Sequence, residues 1–212
     1  MATVGFLHTS PVHVSTFDDL VHQVAPTLDA VHAVDESLLE LARAAGPEAV
    51  LDGVRERVDE LRAQGASAVV CTCSTIGDVA ERVAGDVHTL RVDRPMARRA
   101  VRLGARIGVV AAVESTLAPT NALLEQEAAA AGVRPTIELV VVDGAWAAFE
   151  AGDMSGYLQL IAAAARDLAE RVDVIVLAQA SMASAEERLH DVGVPVLSSP
   201  RAAVVHVADV LE

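Results

Sequence analysis

Ala68-Val69-Val70-Cys71-Thr72-Cys73-Ser74-Thr75 is an apolar run that ends in a turn of hydroxyls and a thiol. Val174-Ile175-Val176-Leu177-Ala178-Gln179-Ala180-Ser181 repeats its outline 106 residues further on. A short apolar run closed by turn residues reads as a strand buried on both faces. Outward from this pair, Val4-Gly5-Phe6-Leu7 matches Ile107-Gly108-Val109-Val110, and Ala33-Val34-Asp35 matches Val141-Val142-Asp143. Glu81-Arg82 falls on Glu187-Arg188, and Pro95 on Pro200, at nearly the same offset. Such self-similarity predicts a duplicated lobe of roughly 100 residues.

The remaining apolar runs fill in each half. Strands are expected at Thr3–His8, Leu28–Ala33, Ala68–Thr72, Thr89–Val92, Arg106–Ala111, Ile137–Val142, Val174–Ala178 and Pro195–Leu197. Between them lie helical patterns. Val50, Leu51, Val54, Val58 and Leu61 form one stripe over Pro47–Ala63, and Leu158, Ile161, Ala165 and Leu168 form another over Ser155–Glu170. Doubly buried strands alternating with helices imply parallel sheets covered on both sides. The fold class predicted is therefore α/β: two pseudo-symmetric lobes, each a parallel four-stranded sheet flanked by helices, with an active-site cleft between them. Residues 1–95 form the first lobe, with a C-terminal helix at 199–212 packing back on it, and residues 96–198 form the second. Ligands of parallel sheets bind beyond the carboxyl ends of the strands, which directs attention to the two quoted turns.

Composition removes several chemistries. The chain has 212 residues, 52% of them hydrophobic, and a net charge of −14, which disfavours nucleic acid and anionic membranes. All 16 basic residues are arginine. Without lysine there is neither a pyridoxal-phosphate Schiff base nor a P-loop. No Gly-x-Gly occurs, so the dinucleotide fingerprint is missing too. The histidines show no metal-ligand spacing, and most of those other than His8 read as surface or helix positions. No cofactor and no metal are expected. Two cysteines two residues apart make no disulfide framework, and Met1–Pro11 has no basic region or cleavage-site pattern. No apolar stretch approaches the ~18 residues of a membrane span. A cytoplasmic location is expected.

Cys73 follows a buried strand and precedes a helix expected to begin near Ser74 or Thr75, with Asp78 placed like the acidic member of a capping box. A thiol at a helix N-terminus is pushed toward thiolate, and free amides there bind carboxylates. Cys71, inside the strand, reads as a small apolar residue. His8 ends the first strand and suits proton transfer near neutrality, or simply hydrogen-bonds to backbone. Arg94 and Arg201 flank the repeat-related prolines, as anchoring charges or as structural ion pairs.

The strand followed by Cys73-Ser74-Thr75 resembles the Cys-Asn-Thr motif of the aspartate/glutamate/hydantoin racemase superfamily. The duplicated lobes, the Pro95 and Pro200 segments and the Glu114-Ser115-Thr116 loop extend the resemblance over nearly the whole chain. It implies a cofactor-independent, PLP-independent enzyme in which two cysteines flank a substrate carbon, one removing and one returning a proton. It also implies carboxylate-binding groups at Ser10, Ser74, Thr75, Glu114, Ser115, Thr116, Ala180 and Ser181, and a homo-oligomer. The second motif departs from the family. Gln179 stands where the second cysteine is expected, and an amide does not transfer protons in this pH range. The expected function is an isomerase or racemase acting next to the carboxylate of a small acid or amino-acid derivative, with Cys73 as the single catalytic thiol beside His8 and Gln179. The alternatives are a one-thiol decarboxylase of a malonate-like acid and a non-catalytic binder of small ligands.

Overall fold

A computed structural model describes residues 2–211 of the chain. The eight strands lie where the apolar runs predict them, with ends shifted by no more than one residue. Two compact units result. One runs to Asp93 and takes in the segment from Pro200 onward; the other spans Arg94–Ser199.

In the first unit, β1 (Thr3–His8), β2 (Asp29–Val34), β3 (Ala68–Cys71) and β4 (His88–Arg91) form an all-parallel sheet in the order β2-β1-β3-β4. Successive strand residues face opposite sides, so each strand serves two cores. Val4, Phe6, Ala68 and Val70 pack against α1 (Val12–Val24) and α9 (Pro200–Leu211). Leu7, Val69 and Cys71 pack against α2 (Ser37–Ala45), α3 (Leu51–Ala63) and α4 (Gly77–Arg82). The stripe predicted over Pro47–Ala63 divides in two: its first turn is a tight 3-10 turn at Pro47–Val50, and the α-helix follows from Leu51.

The second unit repeats this plan. Here β5 (Arg106–Ala111), β6 (Thr136–Val141), β7 (Val174–Leu177) and β8 (Val196–Leu197) are parallel in the order β6-β5-β7-β8. One face is covered by α5 (Arg94–Leu103) and α6 (Leu117–Ala131), the other by α7 (Ala145–Glu150) and α8 (Met154–Ala169). The start of α8 is set by the Asp153 carboxylate, which accepts from the Gly156 N–H at 2.9 Å.

The register preserves the duplication. Val4 pairs with Ala68 in one sheet, and Ile107, its repeat mate, pairs with Val174 in the other. The repeated glycines have a packing cause. A Cβ on Gly5 would lie 3.0 Å from Ala66 Cβ, and one on Gly108 only 2.5 Å from Leu168 Cδ2. The helix crossing each central strand thus sits against bare backbone. Among the described residues, no helix is long and apolar enough to cross a membrane.

Candidate active site

Strands β1 and β3 are adjacent, and their carboxyl ends lead into His8 and Ser10 on the one and Cys73, Ser74 and Thr75 on the other. Cys73 is partly exposed, whereas Cys71 is fully buried and its thiol is pushed far above the ordinary range by that burial. The expected capping by Ser74 or Thr75 is not what forms. Residues 74–76 make a turn, α4 begins only at Gly77, and no side chain caps it. Cys73 therefore precedes the helix by a full turn, and α4 is too short for a dipole argument.

Another device holds this turn. Arg91, 1% exposed, makes a bidentate pair with the fully buried Asp93, Nε to Oδ1 at 2.7 Å and Nη2 to Oδ2 at 2.9 Å. The same Nη2 donates to the Ser74 carbonyl at 3.4 Å. The Arg91 amide donates to the Glu81 carboxylate at 3.1 Å, which ties β4 to α4. Gly77 is required by this packing, since a Cβ there would lie 2.7 Å from Arg91 Cβ. Neither Arg91 nor Asp93 was expected from the sequence; the signal was an Arg-x-Asp at a strand end, too common to single out.

His8 is fully buried, and both ring nitrogens are engaged. Nδ1 lies 2.8 Å from Thr72 Oγ1 and Nε2 lies 2.9 Å from His32 Nδ1. His32 Nε2 in turn lies 2.9 Å from Asp18 Oδ1. His32 lies in β2, as the strand expected at Leu28–Ala33 implies, but it is no surface group: its ring stacks on His8 with centroids 5.2 Å apart. Burial, reinforced by the neighbouring His32 and His13, lowers the His8 pKa to about 3; burial lowers that of His13 to about 4. Asp18 and His32 were also missed. Two histidines on adjacent parallel strands are visible in the sequence only once the strand order is known.

In the second unit, the turns after β5 and β7 lie side by side. The first holds the exposed Glu114 with Ser115 and the buried Thr116 in a 3-10 turn; the second holds Gln179, Ala180 and Ser181. Gln179 Oε1 accepts from the Ala112 N–H at 2.9 Å, which fixes the amide's orientation. Among the described residues its buried Nε2 finds no hydrogen-bond partner, and neither does the buried Ser115 Oγ. Buried unpaired donors are rare and costly, by roughly 1–3 kcal/mol each. Ser181 Oγ is 2.8 Å from the Tyr157 hydroxyl, whose pKa burial raises to about 12. Arg94, the candidate anchoring charge, instead pairs with the buried Glu127 at 2.5 Å. Among the described residues no group of three or more His, Cys, Asp or Glu is arranged to hold a metal.

The fold is shared with several solved structures. Glutamate racemase of Francisella tularensis, in complex with D-glutamate, superposes with a TM-score of 0.77 at 15% identity, over 99% of this chain and 81% of that one. Allantoin racemase of Klebsiella pneumoniae gives 0.70 at 20% identity, covering 100% and 87%. Arylmalonate decarboxylase gives 0.57 at 19% identity, covering 99% and 91%. No curated protein matches the sequence. The family model for Asp/Glu/hydantoin racemase, in contrast, matches residues 14–207, and the chain belongs to that family.

Proposed function

We propose that this protein is a cofactor-independent enzyme of racemase or isomerase type that moves a proton next to the carboxylate of a small acid or amino-acid derivative, with Cys73 as the transferring thiol. One observation carries the reading. Of the two repeat-related turns, one offers a partly exposed thiol and the other offers an oriented amide donor that no protein group accepts. Cys73 has the chemistry for proton transfer, and Gln179 has only the chemistry for binding an acceptor oxygen. Ser115 and Ser181, with Thr116 beside them, supply further hydroxyls for a carboxylate, as Ser10, Ser74 and Thr75 do in the first unit.

The same observation favours a second reading. Loss of CO₂ from a malonate-like acid needs a single proton donor at the enolate carbon, and one thiol suffices for that. Incubation with pooled small carboxylic acids in deuterated buffer separates the two. Deuterium at the α-carbon without loss of mass from the carboxylate supports the racemase-type reading, and release of CO₂ supports the decarboxylase. Ligands that raise the melting temperature without reacting, together with no exchange in any pool, would make the protein a binder and overturn both.

A further inference from the structure

Four side chains of the first unit are joined end to end: Asp18, His32, His8 and Thr72, with successive contacts of 2.9, 2.9 and 2.8 Å. The Asp18 end is exposed, while His8 and Thr72 are buried. Thr72 precedes Cys73 in the chain, and its Oγ1 also lies 3.2 Å from the Leu7 carbonyl. A hydroxyl carries one proton, so it donates either to His8 Nδ1 or to Leu7 O, never to both.

Two proton arrangements satisfy every contact in the line. In the first, the Asp18 carboxylate accepts from His32 Nε2–H, the bare His32 Nδ1 accepts from His8 Nε2–H, and the bare His8 Nδ1 accepts from the Thr72 hydroxyl. In the second, which holds one proton more, His8 Nδ1–H donates to Thr72 and the Thr72 hydroxyl turns to Leu7 O. His8 Nε2 then accepts from His32 Nδ1–H, and His32 is an imidazolium held by Asp18. We propose that Asp18, His32, His8 and Thr72 form a two-state proton store that opens to solvent at Asp18 and ends at the residue before Cys73.

The step balances without any electron transfer. A proton that a bound small acid gives to Thr72 Oγ1, leaving the acid as its anion, displaces the hydroxyl proton onto His8 Nδ1. His8 passes its Nε2 proton to His32 Nδ1, and the surplus proton is shared between His32 and the exposed Asp18, where water exchanges it. Reversal delivers a proton to the Thr72 end. His8 carries a single proton in both arrangements, in keeping with the burial that holds its pKa near 3. The titratable groups around it are His32 from β2 and His13 and Asp18 from α1; β3 contributes Thr72. The store supplies what a one-thiol site lacks, a second place to keep a proton, and to that extent it rests on the reading of Cys73.

Nitrogen-15 NMR of the imidazole rings in the full chain tests the store without any substrate, with signals assigned from His32→Gln and His13→Gln variants. On acidification, His32 is expected to go from Nε2–H to doubly protonated while His8 moves its one proton from Nε2 to Nδ1 with the same midpoint. Asp18→Asn shifts that shared midpoint to lower pH. A His8 ring that keeps Nε2–H throughout, or takes up a second proton with His32, overturns the proposal. With a reacting acid in hand, Asp18→Asn lowers kcat for α-proton exchange on the order of tenfold or more at unchanged KM, and Asp18→Glu restores it. An unchanged kcat removes the store's role in the reaction. A wild type silent towards every acid tells against Cys73 instead, and the ring titration still decides the store.

Discussion

Cys71 and Cys73 are two residues apart and differ in the property that governs thiol reactivity. Cys71 is sealed in the core, where burial keeps it a neutral thiol; Cys73 reaches the surface of its turn. Oxidation or alkylation is therefore expected at Cys73 and not at Cys71 in the folded protein, as mass spectrometry after brief iodoacetamide treatment would show. Equal labelling of both would contradict the assigned environments. The histidines make a second residue-scale prediction. Because His8 and His13 have folded-state pKa values of about 3 and 4, below the ordinary 6.5, the fold favours their neutral forms. That stability is complete above pH 6.5. As pH falls toward 4, the unfolded chain binds protons that the fold refuses, at about 1.4 kcal/mol per pH unit for each histidine. Urea unfolding between these pH values should show a shallower loss for His13→Gln than for wild type; parallel curves would remove His13 from the account. Part of this scale was legible from sequence. The different fates of the two cysteines follow from one lying inside an apolar run and the other just past its end. The partners of His8 do not, because they come from β2 and from the residue just past β3.

At the scale of elements, short apolar runs located the strands to within a residue, including β3 and β7, which are buried throughout and carry no polar residue. The Cys73 turn was misread. Ser74, Thr75 and Asp78 have the composition of a capped helix start, yet the buried Arg91–Asp93 pair takes the Ser74 carbonyl and the helix waits until Gly77. A buried ion pair at the end of β4, reaching the turn through Arg91, overrides local capping preference here. Asp93→Asn leaves the Arg91 guanidinium buried without its counter-charge and should destabilise the first unit by about 3–5 kcal/mol. Gly108→Ala should cost about 1–3 kcal/mol by overpacking against Leu168, more than Gly5→Ala, where the nearest contact is longer. Chemical denaturation of the three variants checks both statements, and a Gly5→Ala variant weaker than Gly108→Ala would contradict the packing described.

For the whole molecule, the duplication was visible because both halves need the same apolar runs in the same order, and the two sheets share strand order and register. What composition excluded followed from the absence of lysine, a property of the entire chain. Substrate identity was not legible, because it depends on side chains from separate turns whose neighbours no periodicity reveals. The discontinuous first unit makes its own prediction. Helix α9 buries Ala203, Val204 and Val207 beside Phe6 and Phe17, so a chain ending at Ser199 should lose several kcal/mol from that unit. Hydrogen exchange would then rise in β1, β3 and α1 before it rises in β5 and β7.

The central claim is that Cys73 transfers a proton at a carbon next to a carboxylate. Its most direct test is α-proton exchange in deuterated buffer, followed by NMR, for wild type and Cys73→Ala side by side with their melting curves. The account predicts exchange in wild type, its loss by at least about 10²-fold in the variant, and an unchanged melting temperature. Equal exchange in a folded Cys73→Ala would contradict it.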